Sequence, residues 1–245
     1  MNVIFATDFY TSSTTARALL TRLSWSADTR LELLHVLPAQ PRISLFASRQ
    51  RPSQGVLDAA ARELRSFATD LEAQVAQSLG SVQHTVRVGD PTGTILEHAV
   101  ATNADLVVIG GPGRAESASG KMSSLSAAVI DRAACSVLVA RATSVDKLVV
   151  TDDGSVAGEI AARVSEWPLF RSIPMIVASV TDPHEWVPAG VRDLVIHGMK
   201  KGGEESSASG LRRAVAGTGR SVLIVRDANV SEEVSRPRHR SAVHQ

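Results

Sequence analysis

The stretch Val107-Val-Ile-Gly-Gly-Pro-Gly-Arg-Ala-Glu-Ser-Ala-Ser-Gly-Lys-Met-Ser-Ser-Leu-Ser126 concentrates the residue types that can hold an anion. An apolar run ends in Gly110, small residues follow, and Ser123-Ser-Leu-Ser126 opens a helical pattern. Glycines let backbone approach a ligand closely, and free amides at a helix start favour negative charge. Taken alone, the loop reads equally as a tight strand-to-helix turn capped by serine. Arg114 and Lys121 flank it, either as phosphate partners or as solvated loop cations.

Other chemistry is sparse. There is no G-x-S-x-G elbow, no H-E-x-x-H pair and no G-x4-G-K-[ST] loop. The histidines are scattered: His239 and His244 fall near the end, and His98 sits beside Glu97 with no partner in sight. No metal site and no catalytic set is expected. Cys135 is the one cysteine, next to an apolar run, and reads as an inert core thiol.

The elements that must position the loop are strands alternating with helices. Strands are expected at 2–7, 31–37, 82–88, 105–110 and 136–141, rich in Val, Ile and Leu without polar alternation, as in strands buried on both faces. Helices are expected at 12–24, 55–79, 92–101 and 122–133. In 55–79, Val56, Ala60, Leu64, Phe67, Leu71 and Val75 recur every three or four residues and form one face. Pro91 suits the first turn of the helix after it. This alternation implies right-handed crossovers and a parallel sheet covered on both sides.

The pattern is then used again. Asp105-Leu-Val-Val-Ile-Gly-Gly111 returns as Asp193-Leu-Val-Ile-His-Gly-Met199, and Ser136-Val-Leu-Val-Ala-Arg141 as Ser221-Val-Leu-Ile-Val-Arg226. Val3-Ile-Phe-Ala-Thr-Asp8 has a counterpart in Leu148-Val-Val-Thr-Asp152. Three matches in one order indicate a duplicated unit. The second copy is shorter, with strands expected at 147–151, 173–180, 192–197 and 221–226 and helices near 155–166 and 206–216. The run 173–180 matches either the second or the third strand of the first unit, so a strand and at least one helix are missing. The second loop has also lost its spacing, since Gly198 is followed by Met-Lys-Lys before Gly202. The fold class is therefore α/β: two tandem doubly wound domains, a mostly parallel five-stranded sheet in the first and a reduced sheet in the second. The domains are read as 1–143 and 144–228, with 229–245 a polar, basic, disordered tail.

The loop resembles the G-x2-G-x9-G-[ST] motif of the universal stress protein family. Gly110 and Gly113 stand at the first two glycines, Ser123 replaces the third, Ser124 takes the Ser/Thr position, and Ser126 matches a further serine. Asp8 closing the first strand, His35-Val36 ending the second and Gly89-Asp-Pro91 after the third also match. The resemblance implies that the loop cradles the phosphates and ribose of ATP, with or without Mg, and that Asp8 and Val36 flank the adenine and ribose. The cofactor-binding set it implies is Asp8, Val36, Gly110, Gly113, Ser123, Ser124 and Ser126. If the third glycine position needs a positive φ, the Cβ of Ser123 costs about 1 kcal/mol or more. The resemblance further implies a stress-response protein that binds ATP or a related adenine nucleotide through its first domain, regulatory rather than catalytic, with at most slow ATP hydrolysis. The alternative is a scaffold that binds no nucleotide and keeps the loop as a relic.

Composition narrows the partners. The 245 residues are 44% apolar and 21% charged with a net charge of +1, so nothing points to nucleic acid or an anionic membrane. No apolar run approaches the ~20 residues that span a bilayer, and no secretory leader is read at the start. A cytoplasmic protein is expected, its two domains paired as an intramolecular pseudo-dimer, with a homodimer as a further option.

Overall fold

The computed structural model describes residues 1–39, 51–75, 79–111, 123–152, 157–179, 190, 192–199 and 220–226. The first unit runs β1 (Asn2–Thr7), α1 (Thr11–Leu20), β2 (Arg30–Pro38), α2 (Gln54–Val75), β3 (Ser81–Gly89), α3 (Pro91–Ala101), β4 (Leu106–Gly110), α4 (Ser124–Arg132) and β5 (Ser136–Ala140). The rest contributes β6 (Lys147–Asp152), α5 (Ala157–Glu166), a 3-10 turn (Pro168–Phe170), β7 (Met175–Ser179), β8 (Asp193–Met199) and β9 (Val222–Arg226). The expected helix near 206–216 and the expected tail lie outside the described residues.

The nine strands of the described residues form one sheet in the order β3-β2-β1-β4-β5-β9-β8-β6-β7. Every neighbouring pair is parallel except β5 with β9. Apolar residues face both ways, which explains the absence of polar alternation. Val3, Phe5, Leu31 and Leu33 pack against α1 and α2, whereas Ile4, Leu34, Val107 and Val137 pack against α3 and α4. Ile160 and Val164 of α5 join the α1–α2 side, so that core runs unbroken from Leu19 to Phe170.

The β5–β9 junction is reciprocal. Leu138 lies opposite Leu223, its own counterpart in the repeat, with Val137 opposite Ile224 and Val139 opposite Val222. The backbone N–H of Arg141 donates to Ser221 Oγ at 3.0 Å, and that of Arg226 donates to Ser136 Oγ at 3.2 Å. Each of the two strands thus carries a serine hydroxyl that accepts from an arginine amide at the end of the other.

β7 pairs in parallel with β6, from Leu148 opposite Met175 to Asp152 opposite Ser179, as β2 pairs with β1. This is the pairing expected if 173–180 answers to the second strand of the first unit. α1 stops at Leu20, short of the expected residue 24. Trp25 Nε1 donates to the Leu20 carbonyl at 2.9 Å, and the Ser24 amide turns to Leu169 O at 3.3 Å. Tertiary partners thus take groups that the next turn would have used.

Candidate functional site

Strand order reverses between β1 and β4, because the chain leaves β1 towards β2 and returns across it to β4. At such a switch point the crossovers diverge and leave a crevice above the carboxyl ends of the strands. A cavity of about 730 Å³ occupies that place. Its floor is the ends of β1, β2 and β4, including Asp8, His35, Val36, Ile109 and Gly110. Its walls come from Ser12 and Ser13 of α1, Ala59 and Glu63 of α2, Pro91 and Ile95 of α3, and Leu125 of α4. The size lies in the range of small-ligand sites, and the lining is mostly apolar with a few polar groups, as such sites are.

Asp8 is exposed, and its Oδ1 accepts from the Tyr10 amide at 3.1 Å and from the Ser13 hydroxyl at 2.6 Å. The Asp8 amide in turn donates to Ser13 Oγ at 3.0 Å. This pair of bonds fixes the β1–α1 turn, in which Phe9 has a φ of 64°. A bulky side chain in the left-handed region costs on the order of 1 kcal/mol, and such residues cluster at functional turns.

Gly110 lines the cavity, but its lack of a side chain serves the fold. A Cβ there would lie 2.4 Å from the carbonyl carbon and oxygen of Ser12. The start of α1 thus rests directly on the end of β4. Gly111 has a similar reason: a Cβ would meet Val139 at 2.7 Å and the Arg141 stem at 2.8 Å.

Ser123 is the N-cap of α4, with φ −61° and ψ 146°. Its Oγ accepts from the Ser126 amide at 3.0 Å and donates to Ser126 Oγ at 2.8 Å. The strain anticipated for a positive φ is absent, because an N-cap adopts extended backbone that any residue tolerates. Ser126 is fully buried under this cap, whereas Ser124 is exposed. Asp8, Val36 and Gly110 therefore share the cavity, while α4 presents Leu125 to it. Gly113, Arg114 and Lys121 lie outside the described residues.

Two features escaped the sequence reading. His98 approaches Glu32 within 2.9 Å, and Thr85 donates to the same carboxylate oxygen at 2.5 Å. Glu32 comes from β2, far away in sequence, so spacing could not reveal it. The α2 wall was likewise invisible, since Val56 belongs to the helix's apolar face yet is 48% exposed and lines the cavity. Cys135 is buried, and burial pushes its thiol up to about 11. In the second unit, His197 stands at the position of Ile109, with Nδ1 2.6 Å from Thr151 Oγ1. Among the described residues no three His, Cys, Asp or Glu side chains are grouped to hold a metal ion, and no helix is long and apolar enough to cross a membrane.

Fold and cavity together define a doubly wound α/β protein with its cleft at the switch point, where this architecture accommodates ligands. The family model of the Universal stress protein family matches residues 1–141, and the chain belongs to that family. Among solved structures, a universal stress protein from Archaeoglobus fulgidus DSM 4304 is similar over 92% of this chain and 98% of its own, at 13% identity and a TM-score of 0.61. A universal stress protein family protein from Arabidopsis thaliana, solved with AMP bound, matches over 58% of this chain and 92% of its own, at 20% identity and a TM-score of 0.38. A universal stress protein in complex with cAMP matches over 58% and 96%, at 20% identity and a TM-score of 0.40. No curated protein matches the chain.

Proposed function

We propose that the first unit binds an adenine nucleotide, ATP or a close relative, and that binding is regulatory rather than catalytic. The observation that carries this reading is the 730 Å³ cavity, which brings Asp8, Val36 and Gly110 from three separate strand ends to one crevice. Family membership supports it, because these are the positions at which the resemblance puts adenine, ribose and phosphate. The apolar side chains Val36, Ile95, Ile109 and Leu125 suit the faces of a purine. The start of α4 leaves the Ser124 and Leu125 amides for a phosphate, since the Ser126 amide is already held by Ser123. Magnesium would enter on the phosphates of the nucleotide. Asp8 and Glu63 are the carboxylates among the lining residues, and Asp8 is engaged by the Tyr10 amide and the Ser13 hydroxyl.

The second unit serves as a degenerate copy and an intramolecular partner. Its first-strand end meets His197 where the first unit has Ile109, and its loop spacing is broken, both of which work against a second nucleotide. Calorimetry with ATP tests the reading. One site per chain is expected, abolished in Gly113→Val without loss of the native melting profile, because a branched side chain would stiffen and fill the phosphate loop. Two equivalent sites would overturn the degenerate second unit, and no site at all would favour the scaffold alternative.

A further inference from the structure

Resting on that nucleotide reading, we infer that His35 is a specificity residue of the same cavity: its Nε2 accepts a hydrogen bond from a neutral donor of the ligand, a ribose hydroxyl or the exocyclic amine. The ring's Nδ1 lies 2.8 Å from the Thr7 carbonyl oxygen. A carbonyl can only accept, so Nδ1 carries the proton, and in the neutral ring Nε2 is left as a lone pair. Among the described residues Nε2 has no hydrogen-bonding partner, and the ring to which it belongs lines the cavity.

The ring is also held in place. It is 9% exposed, and Phe9 covers it with ring centroids 4.5 Å apart at 38°. Phe9 reaches that position through its left-handed backbone and is braced by Phe67 at 5.9 Å. A fixed tautomer in a fixed orientation, facing apolar walls, is the arrangement that discriminates by leaving an unmatched polar group unpaired.

Charge gives the ligand its direction. The groups around this end of the cavity are Asp8 at the tip of β1 and Glu63 on α2, with Arg17 of α1 stacked 4.6 Å over the Phe67 ring. Arg17 is paired with Asp70 at 3.7 Å, so the two carboxylates and the lone pair set the preference here, for neutral donors over phosphate. The amides at the start of α4 suit phosphate, so we place the nucleoside against His35.

The test is a set of double-mutant cycles by calorimetry. ATP is compared with three analogues, each lacking one ribose hydroxyl or the exocyclic amine, on the wild-type chain and on His35→Phe. One analogue is expected to bind the wild type about five- to tenfold more weakly than ATP, and to match ATP within about twofold on the variant. Equal binding of all three analogues to the wild type, or a loss that persists in the variant, overturns the assignment. Because His35→Phe also removes the bond to Thr7, nitrogen NMR of the wild-type imidazole supplies a measurement without a variant. ATP is expected to move the resonance of an unprotonated Nε2, and an unmoved resonance refutes the contact. Absence of ATP binding to the wild type overturns the nucleotide reading itself, and this assignment with it.

Discussion

Replacing Gly110 by alanine separates the two reasons a glycine can stand at this position. Its new Cβ would sit 2.4 Å from Ser12 C and O and 2.8 Å from Ser13 N, against an ordinary contact that begins at 3.4 Å. The deficit is 3.4 − 2.4 = 1.0 Å, so the start of α1 must withdraw by about that distance from the end of β4. The helix is not free to move, since Ser13, Ala16, Leu19 and Leu20 are buried. Overpacking of this kind costs about 1–3 kcal/mol, partly offset by about 0.4–1 kcal/mol from a less flexible unfolded chain. At about 2–4 °C per kcal/mol for a chain of this size, Tm falls by up to about 10 °C. Nucleotide affinity falls with it, because Ser12 and Ser13 line the cavity. Differential scanning calorimetry checks the first effect, with Gly158→Ala as control: nothing lies within 4 Å of that Cβ, and Tm should hold or rise slightly. A Gly110→Ala protein that melts like wild type but binds ATP poorly would refute the packing argument and return the glycine to the phosphate.

Three further outcomes follow from the geometry. Ser123→Ala removes the α4 cap and is expected to cost about 1 kcal/mol in urea unfolding, whereas Ser123→Gly costs only a few tenths and keeps ATP affinity within about tenfold. Ser221→Ala strips the acceptor from two amides, those of Arg141 and Ala142, and should destabilise by about 1–3 kcal/mol, more than Ser136→Ala, for which the Arg226 amide is the partner seen. Cys135, 4% exposed and with its thiol pushed up to about 11, is expected to resist a thiol reagent in the native protein and to react at the rate of global unfolding.

Much of the framework was legible because buried parallel strands write themselves as continuous apolar runs. β1, β2, β4 and β5 fall within a residue or two of their expected bounds for that reason, and the edge strand β3 matches as closely although its residues are only partly buried or exposed. Ser136 and Ser221, and Arg141 and Arg226, match in sequence, and these are the groups that exchange hydrogen bonds across β5 and β9. What the sequence could not supply were interactions between distant segments. Trp25 reaches back to end α1 early, and Glu32 of β2 finds His98 of α3. Sequence leaves two places open for 173–180, and strand pairing, an interaction between distant segments, sets β7 beside β6. The cavity itself was half visible. Asp8, Val36 and Gly110 follow from the family resemblance, but the α2 wall comes from a distant segment and the clamp of Phe9 on His35 depends on a turn whose left-handed backbone no pattern reveals. At Ser123 the structure shows the serine cap that the sequence offers as one of two readings, and the conditional strain of a positive φ does not arise.

The central claim is that the crevice of the first unit receives the nucleotide, and methyl NMR during an ATP titration tests it most directly. Val36, Ile95 and Ile109 line that crevice, while Val195, Ile196 and Val222 are buried in the second unit's part of the sheet. The account predicts saturable shifts of the first three methyl groups with the second three unmoved. Unchanged spectra for Val36, Ile95 and Ile109, or larger shifts at Val195, Ile196 and Val222, would contradict it.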